Sequence, residues 1–130
     1  MKRWIWIEPE VVLAVHEENL AEHGGHAGVR DDGLLASALD RPRNKAAYDP
    51  ESDAAALAAA YAFGIVRNHP FVDGNKRAAL AVAETFLGRN GFESTATDAE
   101  CVTTFIALAA GEIGETALAD WFRKKIQSKR

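Results

Sequence analysis

The sequence predicts a single all-α domain over residues 1–130, built from about six helices around one core. Apolar residues recur at helical spacing along most of the chain, and strand-like segments do not alternate with helical ones as they do around a parallel sheet. The composition, with 48% hydrophobic and 26% charged residues, is typical of a globular protein. A chain of this length buries enough surface to fold without a disulfide or a structural metal.

The first elements are marked by bulky and by helix-breaking residues. Residues 2–7 combine tryptophan with isoleucine, which predicts a short strand or an extended arm packed on the body. A first helix is predicted at about residues 9–22, because Pro9 suits a first helical turn and the pair Gly24-Gly25 stops the pattern. We expect His16 on the interior face of this helix, with a hydrogen bond.

A short second helix follows, and a loop is predicted after it. Asp31 or Asp32 can cap this helix, and Pro42 is expected to close it because proline disfavours a helical residue before it. Residues 41–50 carry charge and proline without any period, which indicates a loop.

Two alanine-rich helices are expected at the centre of the fold. Ser52 is the predicted N-cap of a third helix that runs to about Asn68, and seven of the nine residues in 54–62 are alanine. A fourth helix is predicted at about residues 74–89, where an Asn-Gly pair ends it. Small side chains let these two helices approach closely and hold the turn between them rigidly.

Local signals also place the last two helices. Thr97 followed by Glu100 forms a capping box, which predicts a fifth helix that continues to Gly111. A sixth helix is predicted from Thr116 to about Gln127.

Charge and cysteine content exclude several classes of protein. The net charge of −4 speaks against binding to a nucleic-acid backbone, so no direct DNA binding is expected. Five basic side chains among the last ten residues suggest contact with RNA or an acidic target, or else cations at a helix C-terminus. With Cys101 as the single cysteine, no secretory leader and no apolar run near ~20 residues, we expect a cytoplasmic protein without a membrane segment.

The turn between the two central helices, residues 67–77, has the highest density of chemically capable side chains. Pro70 disfavours helical geometry at His69 and so ends the third helix there, while Gly74 permits a backbone conformation that other residues resist. Phe71 is expected to insert into the core and anchor the loop.

The start of the fourth helix is suited to an anion. Asn75, Lys76 and Arg77 fall in its first turn, where unpaired backbone N–H groups and the positive end of the helix dipole lie. Two cations at this end destabilise the helix by themselves, and a bound phosphate turns that cost into a binding site.

His69 and Asp73 add the groups that a transfer reaction needs. Histidine is the natural general base near neutral pH, and a carboxylate beside phosphates is a usual ligand of Mg²⁺. The set indicates phosphoryl or nucleotidyl transfer. The alternative is a polar interhelical turn in which His69 caps a helix and Arg77 forms a surface ion pair. Arg67 faces the nucleotide or is a surface residue at a helix end.

Residues 69–77, His-Pro-Phe-Val-Asp-Gly-Asn-Lys-Arg, resemble the signature of the Fic/Doc (Fido) superfamily, His-Pro-Phe-x-Asp/Glu-Gly-Asn-Gly/Lys-Arg. Further segments look like the death-on-curing (Doc) toxin branch, namely residues 16–20, 24–25, 28–39 and 109–113. The resemblance covers nearly the whole chain. It implies a compact all-α Fido fold with the active-site loop between the two central helices, a nucleotide substrate, a protein target and an antitoxin partner.

The resemblance also implies a role for each matching residue. His69 would deprotonate the target hydroxyl, and Asp73 would bind Mg²⁺. Lys76 and Arg77 would neutralise phosphate charge during catalysis. The candidate set for binding the phosphates of ATP is Gly74, Asn75, Lys76, Arg77 and Arg67.

The choice between two activities depends on Lys76. Family members that transfer AMP usually have glycine at this position and a second arginine where this chain has Leu80. Lysine at this position resembles the sequence pattern of the Doc toxins. The kinase-like activity of those toxins transfers the γ-phosphate of ATP to a threonine of elongation factor Tu and halts translation. The resemblance therefore favours a Mg²⁺-dependent kinase-like toxin. Protein AMP transfer is the alternative, and a non-catalytic antitoxin-binding domain is a second one.

Control is expected to come from a partner. Self-inhibited relatives carry Ser/Thr-x-x-x-Glu-Gly/Asn, but before the Glu18-Asn19 pair this chain has Ala14 at the serine or threonine position. The resemblance implies a Phd-like antitoxin whose C-terminal segment orders on binding near the active site.

Overall fold

The structure, a computed structural model, describes residues 3–129 and contains six helices and two short strands within that range. The helices are α1 (Pro9–His23), α2 (Asp32–Tyr48), α3 (Ala54–Asn68), α4 (Asn75–Arg89), α5 (Asp98–Ala109) and α6 (Glu115–Lys125), and the strands are β1 (Phe92–Ser94) and β2 (Ile126–Ser128). The predicted all-α fold of about six helices is confirmed, with a small antiparallel sheet in addition. In residues 3–129 no helix has both the length and the apolar character that a bilayer crossing requires.

Helix α3 is the centre of the fold and packs against α2, α4 and α6. Its residues 54–62 are almost all buried, because alanine side chains leave room for the neighbouring helices. At Gly64 the backbone of α2 comes so close that an added Cβ would lie 3.2 Å from the carbonyl oxygen of Ala38. The end of α3 therefore enters the turn at residues 69–74 from tightly packed surroundings.

Helix α2 is longer than the sequence predicts. It continues through Pro42, so the short helix expected before Pro42 and the loop expected over residues 41–50 were wrong. Proline costs a helical hydrogen bond, but here its ring is fully buried, and that burial offsets the loss. Arg41 and Lys45 in the added turns both bind the carboxylate of Glu115 in α6.

Two of the predicted caps are confirmed. The side chain of Asp31 accepts a hydrogen bond from a first-turn N–H of α2 at 2.9 Å. Thr97 and Glu100 form the expected capping box at the start of α5, with both reciprocal hydrogen bonds present. These helix starts follow from local chemistry alone.

The cap of α3 is Asp53, and the prediction of Ser52 was wrong. Asp53 accepts from the N–H of Ala56 at 2.9 Å, and its two oxygens also bind the guanidinium of Arg123 in α6. The hydroxyl of Ser52 is buried without a hydrogen-bond partner within the described range. Asp53 is favoured as the cap because its carboxylate can accept from the helix N–H and bind the guanidinium of Arg123 at the same time.

The N-terminal arm is extended over residues 3–7 and forms no strand there, which selects the second of the two predicted alternatives; residue 2 lies outside the described residues. Trp6 stacks on Phe86 with ring centroids 5.9 Å apart. The backbone N–H of Ile7 donates to the buried hydroxyl of Tyr61 at 3.0 Å. The arm thus belongs to the core of the helical body.

The C-terminus differs from the prediction. Helix α6 ends at Lys125, and residues 126–128 form β2, so the prediction of helix to Gln127 was wrong at its end. β2 pairs antiparallel with β1, and the N–H of Thr95 donates to the Lys125 carbonyl at 2.6 Å. The pairing partner lies more than 30 residues away, which is why no local signal announces the strand.

The basic side chains near the C-terminus are partly neutralised. Arg123 binds Asp53 and Asp120, and Lys125 binds Glu100 at 2.7 Å. These ion pairs favour a structural role for the cations at the end of α6 over a contact with RNA.

Candidate active site

Helix α3 ends at His69, the candidate base. His69 is the C-cap in the left-handed region, with φ 51° and ψ 54°, and its N–H donates to the carbonyl of Ile65 at 3.0 Å. Within residues 3–129 it is the one residue other than glycine with a positive φ. Such a backbone is uncommon for histidine and persists only where the surroundings support it.

That support comes from Arg30, in the segment between α1 and α2. Its Nε donates to the backbone carbonyl of His69 at 2.7 Å, and its Nη2 donates to the carbonyl of Asn68 at 2.9 Å. The Asn68 side chain in turn donates to the carbonyl of Leu34 at 2.9 Å. One guanidinium therefore satisfies the last carbonyls of α3, which have no partner inside the helix.

The same segment also runs alongside the loop. Val29 and Phe71 form an isolated antiparallel bridge. The N–H of Val72 donates to the carbonyl of Gly28 at 3.0 Å, and the N–H of Arg30 donates to that of Pro70 at 2.7 Å. The loop is thereby tied through its backbone as well as through side chains.

Phe71, the expected loop anchor, is fully buried. Its ring stacks on the imidazole of His16 in α1, with centroids 3.8 Å apart and planes at 9°. His16 is only 3% exposed, as expected for an interior position, and its Nε2 lies 2.8 Å from the backbone oxygen of Asp73.

Asn75 closes the loop on itself. Its side-chain oxygen accepts from the N–H of Phe71 at 3.0 Å, and its side-chain nitrogen donates to the Phe71 carbonyl at 3.0 Å. Asn75 is buried, so this amide is occupied by the loop rather than turned towards a ligand.

Asp73 is exposed, and both of its carboxylate oxygens accept backbone hydrogen bonds. The N–H of His26 reaches one oxygen at 3.2 Å, and the N–H of Gly74 reaches the other at 2.9 Å. These two bonds, that of His26 first, hold the pKa of Asp73 below its ordinary value. Gly25 lies against this carboxylate with φ +126°, and an added Cβ would stand 3.0 Å from the nearer oxygen.

The start of α4 offers a set of unpaired donors. Gly74 is its N-cap in the left-handed region, with φ 76°. Among the described residues, the N–H groups of Asn75, Lys76 and Arg77 donate to no acceptor. Lys76 and Arg77 are exposed and form no ion pair within residues 3–129, so the surface pair considered for Arg77 is not found. This end of the helix is chemically suited to an anion.

A cleft of about 660 Å³ joins these groups to helix α5. Its polar side is lined by His69, Asp73, Gly74, Asn75, Lys76 and Arg77. Its apolar side includes Val102 and Ile106, which are 59% and 54% exposed. The volume lies in the range of small-molecule sites, and a polar end beside an apolar wall suits a nucleotide.

Arg67, a predicted phosphate-binding residue, and the single cysteine lie apart from the phosphate chemistry. Arg67 does not line the cleft, and its guanidinium lies 5.8 Å from the ring centre of Phe63. Cys101 lines the apolar side, where burial raises the pKa of its thiol and so disfavours the reactive thiolate.

Apart from His16, which was expected at an interior position with a hydrogen bond, the sequence assigned no role to the residues that hold the loop from outside. Arg30 acts on a residue 39 positions further along the chain, and the His26 N–H acts on one 47 positions further along. Gly25 lies against the same carboxylate as His26. The one signal available was the run of glycines after α1, which allows a backbone to approach a side chain closely.

Comparison with known proteins places these residues in context. The model of the Fic/DOC family matches residues 6–87, which include the whole loop. The chain is 35% identical over 121 residues to "Protein kinase doc" of Escherichia phage P1, covering 91% of this chain and 93% of that protein. It is 46% identical over 77 residues to "Toxin Doc" of Mycolicibacterium smegmatis, covering 56% of this chain and 57% of that protein.

Proposed function

This chain belongs to the Fic/DOC family, and we propose that it is a Doc-type toxin that transfers the γ-phosphate of ATP to a hydroxyl side chain of a protein target. One observation carries the proposal. His69, Asp73 and the cationic start of α4 line a single cleft, so a base, a metal ligand and a phosphate site have access to one substrate.

In the proposed reaction His69 takes the proton of the target hydroxyl while that oxygen bonds to the γ-phosphorus. The bond from this phosphorus to the bridging oxygen breaks, and ADP leaves with the electron pair. An exposed imidazole at the edge of the cleft suits general-base catalysis near neutral pH.

The phosphates are proposed to lie at the start of α4. The unpaired N–H groups of Asn75, Lys76 and Arg77 would donate to phosphate oxygens, and the two cations would neutralise their charge. Asn75 contributes through its backbone, since its side chain is bonded to Phe71. Arg67 has no part in this scheme because it lies outside the cleft lining.

Asp73 fits Mg²⁺. Each of its oxygens accepts one backbone hydrogen bond and keeps a further lone pair, and these two bonds lower its pKa and so favour the ionised carboxylate. Within residues 3–129 no group of three His, Cys, Asp or Glu side chains converges on a metal site. Asp73 would therefore bind the ion together with phosphate oxygens and water, and the ion would neutralise phosphate charge.

The decisive experiment separates phosphate transfer from AMP transfer. Purified protein, elongation factor Tu and Mg²⁺ are incubated with ATP labelled at either the α- or the γ-phosphate. We expect the γ-label on the target, and no label with His69→Ala. Transfer of the α-label would overturn the kinase proposal. The variant Lys76→Gly is a second check. If Lys76 is what excludes the binding mode for AMP transfer, this variant should transfer more of the α-label than the wild-type protein does.

The family resemblance also suggests a target and a cellular location. We propose that elongation factor Tu is modified in the cytoplasm and that translation stops as a result. Toxicity of the wild-type gene, lost with His69→Ala at an unchanged melting temperature, supports catalysis. Toxicity that survives this substitution would favour the non-catalytic binding module.

A Phd-like antitoxin is the proposed inhibitor, with its C-terminal segment near the cleft. The exposed Val102 and Ile106 offer that segment an apolar wall. Ile106→Glu should therefore weaken antitoxin binding in a calorimetric titration, whereas Thr103→Glu, on the same helix but outside this cleft lining, should leave it unchanged. Equal affinity of both variants would place the antitoxin elsewhere.

A further inference from the structure

His16 makes two contacts with the loop that a space-filling residue would not need. It lies on α1, 57 positions before Asp73, yet its Nε2 is 2.8 Å from the Asp73 backbone oxygen. Its ring also stacks flat on Phe71, the buried residue of the same loop. An apolar side chain would fill this space equally well but could not make the hydrogen bond.

The acceptor of this hydrogen bond shows which nitrogen of His16 carries a proton. A carbonyl oxygen only accepts, so Nε2 of His16 carries the proton and donates it to Asp73. The bond forms in a nearly closed environment, since His16 is 3% exposed, and its loss would leave a polar group without its partner.

Asp73 is thereby held at both of its ends by different parts of the chain. His16 binds its backbone oxygen, while the N–H groups of His26 and Gly74 bind its carboxylate. The side-chain direction of Asp73 depends on the peptide plane that His16 restrains. Gly74, where α4 begins, is also adjacent, since a Cβ there would lie 3.6 Å from the same nitrogen.

We propose that His16 is a positioning residue that orients Asp73 towards the Mg²⁺–nucleotide, and that it acts through the Nε2–H bond to the Asp73 carbonyl. This rests on the proposed function, in which Asp73 binds the metal. Partners of metal ligands typically change metal affinity by about 10- to 100-fold when they are removed. His16 is expected to fall in this range without touching the metal or the nucleotide.

Three substitutions separate the hydrogen bond from the packing. His16→Phe keeps a ring against Phe71 and removes the donor. His16→Gln keeps an amide N–H at about the reach of Nε2, whereas His16→Asn is too short to supply it. Val12→Ala is the matched control, because Val12 is fully buried on the same helix and has no hydrogen bond to the loop.

Binding is measured by calorimetry with Mg²⁺ and a non-hydrolysable ATP analogue, and the half-saturating Mg²⁺ concentration is compared between variants. His16→Phe and His16→Asn should raise it at least about tenfold, and His16→Gln should keep it within about threefold. In NMR spectra, the Gly74 and His26 amide signals should shift in the first two variants and return in His16→Gln.

Each outcome has one meaning. Wild-type affinity in His16→Phe, with unshifted amide signals, overturns the positioning role while the proposed function stands. An equal loss in Val12→Ala at the same drop in melting temperature reduces the effect to general destabilisation and overturns it too. Failure of the wild-type protein to bind Mg²⁺ and the analogue at all contradicts the proposed function itself.

Discussion

The guanidinium of Arg30 lies across the end of α3 and donates from Nε to the backbone carbonyl of His69 at 2.7 Å. This bond supports the left-handed backbone of His69, whose φ is 51°. The backbone of the candidate base is thus held by a residue that lies 39 positions earlier in the chain. The backbone from which its imidazole projects is therefore held by a cation that takes no part in the proposed chemistry.

Arg30→Lys should lower activity far more than stability. Lysine keeps the charge but cannot reach both carbonyls with a planar pair of donors, so the left-handed turn at His69 should relax. Misplacement of a catalytic group by about 1 Å can cost about 100-fold, and we expect a loss of kcat of about 10- to 100-fold.

The control for this prediction is Arg43→Lys. Arg43 also lies in the N-terminal half, but it binds Glu8 and faces the Trp6 ring, away from the loop. Its substitution should leave kcat within about twofold, as is usual for an exposed ion pair. Similar kcat losses in both variants would contradict a specific role for Arg30.

The start of α3 gives a prediction about stability. Ser52→Ala should be neutral or slightly stabilising in urea unfolding, because the buried hydroxyl has no partner among the described residues. Asp53→Ala should cost about 1 kcal/mol or more, since it removes the cap and the Arg123 pair together. Asp53→Asn should lie between them. If Ser52→Ala lowers the unfolding free energy more than Asp53→Ala does, Ser52 is the cap after all.

Asp53 also predicts how stability depends on pH. The hydrogen bond from Arg123 holds the pKa of Asp53 below its ordinary value of 3.8 in the folded protein. A lowered folded pKa contributes stability above the unfolded pKa, and this contribution is lost as the pH falls through the folded value. The unfolding free energies of wild type and Asp53→Asn should therefore differ by a constant amount near neutral pH and converge below pH 3.8. A gap that widens on acidification would contradict the sign.

The sequence predicted what local chemistry decides. The boundaries of α1 and α4 and the capping box of α5 follow from glycines, prolines and cap residues within a few positions. It could not predict that α2 continues past Pro42, because the ring of that proline is stabilised by burial in the assembled core. The sequence also did not predict β1 and β2. Each strand forms only by pairing with the other, which lies more than 30 residues away in the chain, so no local signal marks it.

The candidate site shows the same division. Residues 69–77 are contiguous, so the sequence could identify them together, and the structure brings His69 and residues 73–77 to one cleft. The supporting residues Arg30 and Gly25 are distant in sequence and became visible only through contacts. Asn75 was expected to bind phosphate, and its hydrogen bonds to Phe71 could not be read from composition or spacing.

Asn75 offers a last prediction, because two roles for its side chain lead to different measurements. If the amide mainly closes the loop, Asn75→Ala removes two hydrogen bonds from a buried pair of groups on Phe71 and lowers the unfolding free energy by about 1–3 kcal/mol. If the amide mainly binds phosphate, the same variant keeps its stability and only raises the KM for ATP.

The bonds to Phe71 favour the first outcome. Asn75→Asp sharpens the test, since a carboxylate can still accept from the Phe71 N–H but presents an oxygen to the Phe71 carbonyl. We expect Asn75→Asp to be destabilised as well, although a negative charge at the first turn of α4 suits the helix dipole. Urea unfolding of both variants beside Lys76→Ala, which should keep its stability, decides between the roles. If Asn75→Ala is as stable as the wild-type protein, the main role of the Asn75 side chain is to bind phosphate.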